Sequence, residues 1–374
     1  MKTKFFSLFL ALVASVGIVS AEIIEEVKIG NLYYDLDTDN MTAEVTYSEE
    51  DDYYGLTSVN IPSSVTCEGK TYDVTSIGVW AFHGCDNLTS IEIPNSVTSI
   101  GDEAFKYCNS LTSFEIPNSV TSIGDHTFAE CFSLTSITIP NSVVSIGDYA
   151  FSWCSLNSVS VGTGVEIVGL DIFYRCYINH IEWHAKNCKP KVKSPLQDMK
   201  SLTSLVIGDE VDSIPYAFCK NCNNLTSLTF GNNIIYIGDG AFESCDSLTN
   251  IEIPNSVTKI GDYAFYDCYN LTTVTCLATT PPTLLGEDAF RMQFGRVDTL
   301  YVPAESIELY QELHQEDTGW KYFYNILPIG SVETAIDNTE LPNSNNSENK
   351  IVRDGQLLIL RDGKTYTVQG IEVQ

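Results

Sequence analysis

Five histidines and twelve cysteines hold most of the chemistry open to this 374-residue chain. His180, Glu182 and His184 alternate within one short segment, with Cys188 close behind. Alternate residues of a strand share a face, so these side chains would form a weak metal or ligand site, or else stand as ordinary surface residues on a degenerate strand. Cys219 and Cys222 have the C-x-x-C spacing of a redox or zinc motif, but no second pair stands at zinc-finger distance. Asp35, Asp37 and Asp39 are spaced like the first ligands of a calcium loop. The sixth place is Asn40 rather than Gly, however, and the twelfth is Thr46 rather than Glu. No G-x-S-x-G nucleophile elbow and no Gly-rich phosphate loop after a strand is present. No catalytic residue, no metal and no cofactor is therefore expected.

The other cysteines follow a rule of position. Cys85, Cys108, Cys131, Cys154, Cys176, Cys222, Cys245 and Cys268 recur at one slot of a repeat, and Met199 fills it once. A slot shared by Cys and Met reads as a column of small buried hydrophobes, held reduced. Neighbouring coils would bring the Cα atoms to about 5 Å, a separation that leaves disulfides geometrically open in an oxidising compartment.

The repeat itself is plain. LTSIEIPNSVTSIGDEAFKYCNS starts at Leu88, LTSFEIPNSVTSIGDHTFAECFS at Leu111 and LTSITIPNSVVSIGDYAFSWCS at Leu134, and the register returns at Leu225 and Leu248. Degenerate copies start at Leu56, Leu156, Ile178, Leu202 and Leu271, so about ten coils are expected. Leu88, Ile91 and Ile93 set the L-x-x-L-x-L alternation of a short strand whose Ser90 and Glu92 face outward. Pro94 and Asn95 end that strand, and Val97 to Ile100 begins a second extended stretch. Gly101 makes a turn, and Asp102 is placed to cap a single helical turn carrying Ala104 and Phe105. One such unit cannot bury its own apolar face. Coils stacked at about 4.8 Å would build a continuous core with an axis roughly 50 Å long.

The unit IPxSVTSIGxxAFxxCxxL, unbroken from Pro94 to Leu111 and from Pro117 to Leu134, resembles the BspA-like leucine-rich repeat family over about residues 56–290. The resemblance implies a β-rich leucine-rich-repeat solenoid with short helical turns, capped at both ends. It also implies adhesion or binding to host matrix. Two departures stand out: an insertion within Ser64 to Val74, and the unit from Ile178 to Ser201, which keeps almost none of the consensus.

The ends divide by composition. Residues 1–21 carry Lys2 and Lys4, an apolar run from Phe5 to Val19 and a small residue at Ala21, the layout of a signal peptide. The run of about 15 residues is short for a membrane span, which needs about 20. Residues 22–55 read as an N-terminal β-hairpin cap, 56–298 as the solenoid, 299–330 as a closing cap with an amphipathic helix near Ala304 to His314, and 331–349 as a polar linker. Residues 350–374, with Asp354-Gly355 and Asp362-Gly363 between alternating apolar residues, read as a small module of three short strands. It resembles the C-terminal sorting modules of type IX secretion, which implies outer-membrane passage.

The formal charge is −29, and it becomes −31 once Lys2 and Lys4 leave with the leader (18 basic against 49 acidic residues). Such a surface repels nucleic acid and anionic membranes. The expected function is recognition of an extracellular protein or glycan by a secreted or bacterial cell-surface protein. Its outward strand face would be lined by Ser90, Glu92, Ser113, Glu115, Ser136, Thr138, Ser227, Thr229, Asn250 and Glu252, with His180, Glu182 and His184 in the divergent unit. The alternative is a structural spacer or assembly scaffold without its own ligand. No insertion of the mature chain into a membrane is expected. The oligomeric state is not encoded in these patterns.

Overall fold

The computed structural model describes residues 22–48, 53–186, 188–190, 194–293, 295–315 and 318–330 of a first compact unit. A second unit is described at residues 331, 349–353, 356–361, 364–367 and 372–373. The expected signal peptide and the linker through residue 348 lie outside the described residues.

The first unit is a β-solenoid. On its front, parallel strands stack in register along the axis, from Ser58–Asn60 paired with Ser90–Glu92 to Asn250–Ile253 paired with Thr273–Cys276. On its back, two- to eight-residue strands stack in the same way, Lys70–Ile77 on Ser99–Ile100 on Ser122–Ile123 on Ser145–Ile146. Period-two alternation places Ile137 and Ile139 inside while Ser136 and Thr138 face out. The stack runs on past the last recognisable repeat: Val297–Val302 and Phe323–Pro328 join the front as two further parallel strands, with a nine-residue helix, Ile307–Gln315, between them.

The seam between coils is aromatic. Phe82, Phe105, Phe128 and Phe151 stack nearly parallel at centroid distances of 5.3–5.4 Å, and Phe242, Phe265 and Phe290 do the same beyond the divergent unit. Each end of this column is closed by cap residues. Tyr53 sits 5.3 Å from Phe82 and donates its hydroxyl to the Thr46 carbonyl, and Trp320 and Phe323 close on Phe290. The N-terminal cap has three antiparallel strands, Ile23–Ile29, Leu32–Asp37 and Thr42–Thr46, and the last pairs parallel with Lys70–Ile77, so it extends the back sheet. Asp37 receives the backbone N–H groups of Asp39 and Asn40 at the turn, and Asp35 receives that of Glu26; these carboxylates hold the cap together.

The third side departs from expectation in its hydrogen bonding. Glu103 and Tyr107 have positive φ (53° and 64°), as do their equivalents in most coils, so the segment is a run of tight turns whose N–H groups reach the next coil. Phe105 N, for example, donates to Thr127 O at 2.9 Å. The repeated aspartate accordingly does not cap its own turn. Asp102 Oδ1 accepts from Asp125 N (2.7 Å), Asp125 Oδ1 from Asp148 N and Asp148 Oδ1 from Leu170 N, a ladder that ties each coil to its successor.

Non-glycine residues at positive φ carry about 1 kcal/mol of backbone strain each. Ser244, at φ 57° with its N–H on Tyr266 O, is such a residue. Ser244→Gly is expected to raise the unfolding free energy by about 0.5–1 kcal/mol. Denaturant unfolding of the full chain checks this, and a loss of stability would show that the turn is not strained.

The second unit is a four-stranded antiparallel sheet, Asn349–Arg353, Gln356–Arg361, Lys364–Thr367 and Glu372–Val373. Sequence alternation pointed to three strands; Glu372–Val373 is the fourth and is only two residues long, too short for a periodic signal.

Candidate functional site

The front sheet gathers the expected residues into two columns. One runs Ser58, Ser90 in the first pair, then Ser136, Ser158, His180, Ser204 and Ser227, then Asn250 and Thr273. The other runs Asn60, Glu92, then Thr138, Ser160, Glu182, Val206 and Thr229, then Glu252 and Thr275. Ser90, Glu92, Ser136, Thr138, Ser227, Thr229, Asn250 and Glu252 are all exposed. Ser113 and Glu115 are exposed too, but their coil has no assigned front strand. There Phe114 replaces the usual Ile and packs edge-on between Phe105 (4.9 Å) and Phe128 (4.6 Å). The larger ring interrupts the ladder locally. Phe230, edge-on to Phe242 at 5.6 Å, marks a second break between Ser227–Thr229 and Asn250–Ile253.

Small hydroxyls of this chain fall into two groups. One group is committed to the fold: Thr89 Oγ1 donates to Thr57 O, Thr203 to Asn179 O, Thr226 to Thr203 O and Thr272 to Thr249 O, each bridging to the preceding coil at 2.8–3.1 Å. On the back, Thr98, Thr121 and Thr258 do the same. The second group is the front face. Among the described residues, the side chains of Ser90, Ser113, Glu115, Ser136, Thr138, Ser227, Thr229 and Glu252 have no hydrogen-bond partner, while Glu92 accepts from Asn60 Nδ2 at 3.0 Å and Asn250 donates to Thr249. No hydrogen bond of the fold among the described residues requires most of these exposed side chains to be polar.

The divergent unit does not assemble a metal site. His180 Nδ1 meets Ser204 Oγ at 3.0 Å, with Glu182 at 3.6 Å from its Nε2; His184 Nδ1 instead meets Glu210 Oε2 of the next coil at 3.1 Å. That bond holds the Glu210 carboxyl below the usual carboxylate range. Cys188 is largely buried, which pushes its thiol up to about 12 and leaves it a poor ligand at neutral pH. Among the described residues no group of three His, Cys, Asp or Glu side chains is arranged to hold a metal ion.

The divergent unit and the coil after it fill the core in a different way. Leu196 and Cys219 occupy the slots that hold Phe in other coils, because Cys222 follows Cys219 at the same three-residue offset as Cys108 follows Phe105. Trp183, from a front strand, and Phe218, shifted into the usual Ala slot, meet edge-on at 5.4 Å and refill the volume. The C-x-x-C pair is therefore one seam residue and one ladder residue. Both are fully buried, and burial pushes the Cys219 thiol well up.

The cysteine ladder has a hydrogen-bonding role as well as a packing one. Cys108 Sγ donates to Phe82 O, Cys131 to Phe105 O, Cys154 to Phe128 O and Cys176 to Phe151 O, and Cys222, Cys245 and Cys268 donate to the matching carbonyls of their preceding coils, all at 3.0–3.2 Å. Cys85, first in the column, is buried, and all twelve thiols are free. Burial drives the Cys131 and Cys268 thiols well above their ordinary range, away from the reactive thiolate. The N-x-T asparagines are used likewise: Asn87, Asn224 and Asn270 each donate Nδ2 to a carbonyl of the preceding coil.

Comparison with known proteins agrees with the coil. A leucine-rich repeat protein from Bacteroides ovatus ATCC 8483 is 22% identical, covering 80% of this chain and 100% of its own, with a TM-score of 0.39. A leucine-rich repeat protein from Bacteroides capillosus ATCC 29799 is 39% identical over 36% of this chain and 96% of its own (TM-score 0.33). A leucine rich cell surface protein from Faecalibacterium prausnitzii A2-165 is 20% identical over 83% and 96% (TM-score 0.28). No curated protein matches. The family profile described as BspA type leucine rich repeat region matches residues 52–179 and 194–319 in six copies. The two matched stretches make up well over half of the chain, which belongs to the BspA-type leucine-rich repeat family.

Proposed function

We propose that this chain is an exported recognition protein, secreted or held at a bacterial cell surface, whose front strand face engages an extracellular protein or glycan. One observation carries the reading: the hydroxyls beside the front face are bonded into the fold, whereas most serines and threonines of the outward columns have no side-chain partner among the described residues. Unpartnered side chains on a rigid lattice bind with little ordering cost. The face presents mostly small polar groups in columns along the axis, which suits an extended partner rather than a small molecule needing unlike groups at one point. Support for export comes from the leader-like residues 1–21 and from the likeness of residues 350–374 to sorting modules. Among the described residues no helix is long and apolar enough to cross a membrane.

The test is a binding array of extracellular-matrix proteins and glycans, probed with the chain from Glu22 and with a version carrying Ser90→Ala, Glu92→Ala, Ser113→Ala and Glu115→Ala. The expected result is saturable binding by the parent, weakened by about tenfold or more in the variant. Silence of the parent across the array would favour the spacer reading.

A further inference from the structure

The turn side carries a second surface that differs from the front in composition and charge. Trp153, Tyr174 and Tyr177 are 46%, 42% and 73% exposed, within two successive coils. Trp153 and Tyr174 meet edge-on at 6.3 Å, and the Arg175 guanidinium lies 5.4 Å and 5.5 Å from their ring centroids. Tyr149, stacked on His126 at 5.1 Å, continues the strip beside Tyr174. A cleft of about 330 Å³ opens next to it, lined by Tyr174, Arg175, Tyr177, Pro195, Met199 and Lys200 among others.

The fold does not ask for these side chains. Trp153 and Arg175 occupy the same positive-φ slot of successive coils (61° and 62°), the slot filled elsewhere by Gly84, Tyr107, Glu130, Asp198, Asn221, Ser244 and Asp267. A slot that takes Gly, Ser, Asn, acids and an aromatic alike does not require Trp or Arg for folding, so their juxtaposition in adjacent coils points to a use outside folding.

Charge narrows the use. From residue 22 to 174 the chain has three Lys and no Arg against 23 acidic residues, whereas from 175 to 220 it has seven basic against five acidic ones. Arg175 is exposed and, among the described residues, has no carboxylate at ion-pair distance. Lys200 is exposed and, among the described residues, bonds neutral oxygens, those of Asn221 and Asn223. The cleft's two carboxylates are engaged already: Asp198 Oδ1 accepts from Asn221 Nδ2 at 2.8 Å, and Asp171 has an interaction of its own.

We infer that this surface binds an acidic polysaccharide. The electron-rich faces of Trp153 and the tyrosines suit the C–H-lined face of a pyranose ring. Arg175 and Lys200 suit an anionic substituent on that ring, a carboxylate or a sulfate, with Arg175 able to bind it through two parallel hydrogen bonds. A neutral glycan would leave both cations unused.

The experiment uses the full mature chain, with calorimetric titration against polygalacturonate (carboxylated), chondroitin sulfate (sulfated) and dextran (neutral). Trp153→Ser and Arg175→Ser place in the slot a residue that Ser244 shows it accepts, and melting curves confirm folding. The expected result is binding to one or both anionic polymers and not to dextran, weakened by about tenfold or more in each variant. Arg175→Lys should retain part of the affinity, and the front-face alanines should leave it unchanged, so this surface stands or falls independently of the front. Polygalacturonate alone would assign a carboxylate, chondroitin sulfate alone a sulfate. Binding to neither, equal affinity in Trp153→Ser, equal binding of dextran, or capture of a matrix protein through Trp153 and Arg175 instead would overturn the inference.

Discussion

Phe128→Ala is expected to lower the unfolding free energy by about 3–5 kcal/mol, toward the upper end of what losing a buried aromatic ring costs. Phe128 is fully buried, stacks at 5.4 Å on Phe105 and 5.3 Å on Phe151, and receives the edge of Phe114 at 4.6 Å. Its removal opens a cavity with aromatic walls on three sides, and the coil spacing set by backbone ladders keeps those walls from closing in. The divergent unit shows what compensation requires. Where Cys219 stands in the Phe slot, both Trp183 and Phe218 move in to fill the space. Phe128 has no such neighbours waiting, so Phe128→Leu should cost far less than Phe128→Ala. Urea unfolding of the three chains measures this. A loss below about 1 kcal/mol for the alanine variant would mean that the aromatic seam is not what joins the coils.

Gly147→Ala is expected to be comparably damaging by the opposite route. A Cβ at Gly147 would press far inside van der Waals contact on the Asp125 backbone nitrogen and the Gly124 carbonyl carbon of the preceding coil. Backbone atoms cannot rotate away as a side chain can, so the cost should sit at or above about 3 kcal/mol, the high end for overpacking. The contact also lies on the aspartate ladder, where Asp125 Oδ1 accepts from Asp148 N. Because a solenoid is stabilised by nearest-neighbour interfaces, weakening one interface should split a single unfolding transition into two. Calorimetry that finds one unshifted transition would contradict the close approach.

The coil was legible because its signals are local. Leu88, Ile91 and Ile93 alternate within six residues, and Pro94-Asn95 ends the strand where it occurs. What was not legible depends on partners about 23 residues away. Asp102 has the local look of a helix cap, yet its acceptor oxygen serves Asp125 in the next coil. Thr226 and Ser227 are adjacent and chemically alike, and only the stacked structure shows that the hydroxyl of one bridges to Thr203 while the hydroxyl of the other faces solvent with no partner among the described residues. The closing strands Val297–Val302 and Phe323–Pro328 were missed as coils because they lack the IG-x-x-AF-x-x-C turn; backbone pairing extends the sheet without it. The alternation of His180 and Glu182 follows from the strand period, but the pairing of His184 with Glu210 depends on the next coil and could not be read from one strand. Tyr174, Arg175 and Tyr177 stand within four residues, but Trp153 and Lys200 join them only through the stacking of separate coils.

The division of hydroxyls into committed and available groups can be tested on adjacent residues. One variant carries Thr203→Ala and Thr226→Ala, the other Ser227→Ala and Thr229→Ala, and each is measured for urea stability and for binding to the array component that the parent retains. The first pair removes two inter-coil hydrogen bonds and should cost about 1–3 kcal/mol while leaving binding intact. The second should stay within about 0.5 kcal/mol of the parent and lose binding. If the front pair destabilises the chain as much as the ladder pair, or binding survives its removal, the front face is part of the scaffold and not a recognition surface.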